Sequence, residues 1–149
     1  MSYRLLSSQR LKSGRSIGAL FGREASSLAA YPIRAVFRRV PSAGVGEGVK
    51  VAFVVPKKRF RRAVDRNLLK RRMREAYRLQ QEILARAQGE AGDRGWTVHL
   101  LLMYTGREEA PYAHVERKMG HLLRKLAVEL PAGGGGGFDG APDPEDVPG

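Results

Sequence analysis

The stretch from Pro56 to Arg78 holds the densest chemistry in the chain, eleven Lys or Arg against two acids, Asp65 and Glu75. Cations at this density suit phosphate recognition, and arginine, which outnumbers lysine here, can fork onto a phosphate or stack on an exposed base. On a helix advancing ~100° per residue, Arg66, Lys70, Arg74, Asn67, Arg78 and Arg71 fall on one arc. Leu68, Leu79, Ile83, Ala76, Leu69 and Met73 fall on the opposite arc, with Arg72 among them; its stem can pack while its head reaches water. Like charges at 66, 70 and 74 cost roughly 0.2–0.5 kcal/mol per pair, which a solvated face avoids by mixing signs and which a polyanion converts into attraction. Because Arg66 and Arg71 both lie off the apolar arc, removing them should spare the fold and weaken a polyanion complex.

Hydrolytic chemistry is poorly supplied. A metal-dependent nuclease needs carboxylates gathering ions ~4 Å apart, whereas Asp65 and Glu75 stand ten residues apart, ~15 Å along a helix. His114 and His121 are seven residues apart and miss the i,i+4 spacing of helical zinc sites. The Gly133–Gly137 run leads into no helix, so it is no phosphate loop. The expectation is therefore no catalytic residue, no metal ligand and no cofactor held by the chain.

The elements that carry the basic run must form a single domain, since 149 residues leave little for a second core. A net charge of +12 calls for a polyanionic partner, and 42% hydrophobic residues suffice for a core. The lack of cysteine and of any long apolar window suits a cytoplasmic protein. Residues 131–149 contain the glycine run and four carboxylates with no Lys or Arg, and read as a disordered acidic tail. The domain at 1–130 then holds 27 basic and 11 acidic groups, a net of +16.

Within that domain, Arg10–Arg23 reads as a short helix and Ser26–Ala30 as a short strand. Ile33–Val40 and Val49–Val55 read as an antiparallel hairpin joined by the loop from Pro41 to Gly48. A long helix runs from about Ala63 to Ala87 and stops at Gly89; Trp96–Tyr104 is an apolar strand, and Val115, Met119, Leu122, Leu123 and Leu126 mark a last helix. The order αβββαβα is an α+β sandwich of helices on one sheet.

Lys57-Lys58, then Ala63-Val64-Asp65-Arg66-Asn67-Leu68-Leu69-Lys70-Arg71, then Arg74-Glu75-Ala76 closely resemble the signature of the bacterial ribonuclease P protein component, and the likeness extends over about residues 8–127. The resemblance implies a four-stranded sheet with a left-handed βαβ crossover, similar to a ribosomal protein domain. It also implies a subunit of the ribonucleoprotein that removes the 5′ leader from precursor tRNA, with magnesium ions held by the catalytic RNA subunit. Arg66, Asn67, Lys70, Arg71 and Arg74 would face that RNA, Lys57 and Lys58 would extend the surface, and Arg62 would continue it. The leader would lie in a cleft between the sheet and the first helix, against Phe21 and Phe37, each of which could instead pack in the core. Ile17 stands where the family has a second aromatic, Pro56 where it has a small hydroxyl, and Phe60 where glycine is common. The alternative is a ribosomal or RNA-chaperone-type binder without an enzymatic partner; Arg66-Asn67-x-x-Lys70-Arg71 argues for the first reading.

Overall fold

Ser26–Ala30 (β1) and Ile33–Pro41 (β2), the latter turning Ile33, Ala35 and Phe37 to one face, form an antiparallel pair across a two-residue turn, with Ala30 opposite Ile33 and a cis Tyr31–Pro32 peptide between them. The computed structural model describes residues 25–41, 48–93 and 95–130. The expected helix at 10–23 with Phe21, the loop at 42–47 and the tail at 131–149 lie outside the described residues.

Gly48–Val54 (β3) and Trp96–Tyr104 (β4) complete a four-stranded sheet in the order β1-β2-β4-β3. β4 pairs antiparallel with β2 and parallel with β3. This corrects the expected hairpin: β2 and β3 do not pair, because β4 enters between them. The physical reason is burial on both faces. Leu100, Leu102 and Tyr104 point to one side of β4 and Leu101 and Met103 to the other, and all five are buried, so this strand belongs at the centre.

The sheet face shared by Ile33, Ala35, Phe37, Val49, Val51, Leu100 and Leu102 is covered by three helices: α1 (Ala63–Gln80), α2 (Glu82–Asp93) and α3 (Tyr112–Glu129). α3 lies on β1 and β2, while α1 and α2 lie towards β3 and β4. Val115, Met119, Leu122, Leu123 and Leu126 are fully buried, as their helical spacing requires. Lys125 Nζ donates to the Ala29 carbonyl at 2.8 Å, and Arg39 donates to the Glu129 and Leu130 carbonyls at 2.6 and 3.1 Å, closing the C-terminal end of α3 with a cation.

The expected helix from Ala63 to Ala87 is two helices. Gln81 separates them, and the Leu84 amide closes a tight three-residue turn on the Gln81 carbonyl at 3.0 Å. Nor does Gly89 end the second helix, which continues to Asp93; the residue with left-handed backbone, φ 81°, is Gly95, directly before β4. Gly120 is buried where α1 meets α3, and a Cβ there would require the Gln80 side-chain amide to swing aside.

Candidate nucleic-acid interface

The chain leaves β3 through a turn in which the Pro56 carbonyl accepts from the Arg59 and Phe60 amides at 3.2 and 3.3 Å. Lys57, Lys58 and Arg59 project from it exposed, so Pro56 in place of a small hydroxyl still yields a turn that presents both lysines. Phe60 turns inward and meets the Tyr104 ring edge-on, with centroids 5.7 Å apart. Arg62, the residue before the first turn of α1, is extended and exposed, and its Nε lies 3.7 Å from Asp65 Oδ2. At that exposure the pair adds little to stability.

Along α1 the buried residues are Leu69, Met73, Ala76 and Tyr77. Tyr77 sits about 20° from Arg66 on the helical wheel, so the true core stripe is rotated towards Arg66 relative to the expected one. Two consequences follow for the basic residues. Asn67, Arg71 and Arg74 occupy the outward face and are exposed, with Lys70 half-buried beside them. Arg66 instead sits over the buried stripe and folds back, its Nη1 donating to the Phe60 and Arg61 carbonyls at 2.8 Å each. Its guanidinium therefore fastens the loop that precedes the helix, which corrects the expectation that Arg66 is dispensable for the fold.

Arg72 also differs from expectation. Rather than reaching water, its Nη1 donates to the Ala110 carbonyl at 2.7 Å and pairs with Glu109 Oε1 at 3.0 Å, tying α1 to the segment before α3. Arg78 is neutralised by Glu75. Arg74 lies 5.8 Å above the Phe53 ring, which meets Tyr77 edge-on, so a cation–π contact holds its guanidinium on the rim without removing its charge. Among the described residues Lys57, Lys58, Lys70 and Arg71 have no ion-pair partner. The structure thus brings Lys57, Lys58, Arg62, Asn67, Lys70, Arg71 and Arg74 onto the turn and the outer side of one helix. Arg59 and Arg61, exposed within the same loop, were overlooked because they fall before the helical repeat begins.

Phe37 is the other correction. Its side chain is 0% exposed, in register with Ser26 and Leu100 on the helix-covered face, which leaves no ring surface for a base. The opposite sheet face presents a different set. Arg34, Arg38, Lys50 and His99 alternate with the inward residues, and Arg38 and Lys50 both lie in register with His99. They surround an apolar centre of Val36, Leu101 and Met103. The i,i+4 spacing of Arg34 and Arg38, out of phase with Ile33, Ala35 and Phe37, is a sequence signal that could have identified this face.

Burial raises the Tyr77 hydroxyl above the ordinary tyrosine range, and burial followed by the neighbouring Glu116 carboxylate pushes Tyr112 up to about 12. Both are structural rather than acid–base groups near neutral pH. Among the described residues no three His, Asp or Glu side chains gather closely enough to hold a metal ion, and no helix is long and apolar enough to cross a membrane. What the site can do chemically is attract and orient a polyanion.

Residues 5–127 match the Ribonuclease P family. The Ribonuclease P protein component of Porphyromonas gingivalis is 35% identical over 136 residues, spanning 88% of this chain and 92% of its own. In structure, the RNase P protein from Thermotoga maritima superposes with a TM-score of 0.58 at 22% identity, covering 78% of this chain and 96% of that one. The Staphylococcus aureus RNase P protein gives 0.56 at 14% identity, over 79% and 94%. At these identities the two structural likenesses speak for the α+β fold.

Proposed function

This chain belongs to the ribonuclease P protein component family, and from that premise we propose how its surfaces divide the work of the complex. As a protein subunit of ribonuclease P it has an RNA partner. The catalytic RNA binds across Lys57, Lys58, Arg62, Asn67, Lys70, Arg71 and Arg74, with Arg66 bracing the loop beneath. The single observation that carries this is a helix face whose cations are exposed and mostly unpaired, where burial or pairing would otherwise relieve their repulsion.

The 5′ leader of precursor tRNA runs over the second sheet face, against Arg34, Arg38, Lys50 and His99, with Phe21 keeping its expected stacking role. Hydrolysis is the work of the RNA and its magnesium ions, and the complex acts in the cytoplasm. Asp65 and Glu75 stand ten residues apart on α1, ~15 Å along it, so the two helix carboxylates do not share one ion. The protein contributes positive charge that lets two RNA molecules approach.

Reconstitution with a ribonuclease P catalytic RNA tests the reading. Adding the chain should lower the magnesium and salt needed for precursor cleavage, and Arg71→Ala with Arg74→Ala should remove much of that benefit. An RNA-chaperone-type binder would bind both RNAs yet leave the magnesium requirement of cleavage where it was.

A further inference from the structure

Between the β1–β2 turn and the segment from Thr105 to Pro111 lies a cavity of about 390 Å³ that the family reading leaves without a role. Its walls are fixed from three sides. Thr105 donates to the Pro32 carbonyl through both its amide and its hydroxyl, at 2.7 and 3.1 Å. The Tyr104 hydroxyl donates to the Glu108 carbonyl and accepts from the Ala110 amide at 3.0 Å. From α1, Arg72 holds the Ala110 carbonyl and the Glu109 carboxylate. At Gly106 the two walls meet, since a Cβ would stand 2.8 Å from Pro32 Cβ and 3.0 Å from the Tyr104 ring. A cavity built this way is pre-formed, so a ligand need not order it.

The groups lining its mouth define the occupant. Tyr31 keeps 65% of its surface exposed at the rim, an aromatic plane that the fold does not use for packing. Arg107 and Glu108 are exposed beside it, and His114 closes one side with its Nδ1 3.0 Å from an Arg117 nitrogen. An acyl chain would meet three charged side chains, Arg107, Glu108 and Glu109. A flat, polar-edged ring answers all of these groups. Tyr104, in the cavity wall, packs edge-on against Phe60, whose carbonyl Arg66 holds, so the cavity and the start of the basic helix are one packed unit.

We propose that this cavity receives one unstacked base of an RNA strand lying over the Lys57–Lys70 surface, stacked on Tyr31 and read by Glu108. The proposal rests on the RNA-binding reading above. Glu109 is engaged by Arg72, whereas the Glu108 carboxylate has no ion-pair partner among the described residues and can only accept hydrogen bonds. It therefore selects bases that present an amino group, adenine, cytosine and guanine, over uracil, which offers a carboxylate only the ring N3–H between two carbonyls.

Fluorescence anisotropy of the full chain with labelled hexamers of adenylate, cytidylate and uridylate tests this. The parent should bind the first two more tightly than the third. Tyr31→Ala, at an exposed position, should weaken the first two about tenfold and the third less than twofold. Glu108→Gln, which gains an N–H donor, should narrow the gap by improving uridylate binding. Arg71→Ala runs alongside and should weaken all three alike. If Arg71→Ala acts but Tyr31→Ala and Glu108→Gln leave the three affinities unchanged, the base site is refuted and the surface stands. Equal losses for all three hexamers in Tyr31→Ala, with no effect of Glu108→Gln, also refute base reading. No effect of Arg71→Ala sinks the underlying surface instead.

Discussion

Arg66 and Arg71 lie five positions apart in one basic run and do different work. Arg66 spends its guanidinium on two loop carbonyls, so Arg66→Ala should lower the free energy of unfolding by about 1–2 kcal/mol in a urea titration as well as weakening RNA binding. Arg71 reaches solvent, so Arg71→Ala should leave the urea midpoint in place and reduce only RNA affinity in a filter-binding assay. Phe37 offers the complementary case. With its ring wholly inside the core, Phe37→Leu should lower stability by about 1–2 kcal/mol while the ratio of affinities for precursor and mature tRNA stays constant. A fall in that ratio without loss of stability would return Phe37 to the leader site.

At the scale of elements, two helices are held by tyrosines that resist ionisation. Tyr77 on α1 and Tyr112 at the start of α3 are both raised above the ordinary value, so the folded state favours their neutral forms. Their contribution is complete below pH about 10 and is lost as pH rises beyond it, because the unfolded chain then releases protons that the folded chain retains. Melting temperatures should be flat from pH 7 to about 9 and fall steeply above about 10, and Tyr77→Phe should flatten that fall. Tyr77 also shows where legibility ended. Charge periodicity placed Arg66 on the polar face, but the hydroxyl-bearing Tyr77, next to it on the wheel, is core and rotates the stripe. The break at Gln81 carries no Gly or Pro to announce it. By contrast α3 was readable from its apolar residues at helical spacing, and β4 from the unbroken apolar run at its end, Leu100 to Tyr104. That same run, apolar on both faces, held the clue to β4's central place, yet strand neighbours are chosen by contacts distant in sequence, which a local repeat cannot encode.

For the molecule as a whole, charge dominates association. About five phosphate contacts at ~0.7–0.9 each give a log-log salt slope near −4 for RNA binding, measurable between low and physiological salt. Deleting residues 131–149 removes four carboxylates and no base, so affinity should rise, most at low ionic strength, with the melting temperature unchanged. The sheet order has a further consequence, in the timing of synthesis. Ile33 pairs with Tyr104 and Pro41 with Trp96, so β2 must wait for the last strand before it can complete its hydrogen bonds. During translation the basic helix leaves the ribosome ahead of β4, in the company of abundant RNA, before the sheet that seats it exists. A nascent chain ending before Trp96 should remain open to protease and hold RNA only loosely, so that the mature interface appears in one step when β4 slides between its neighbours.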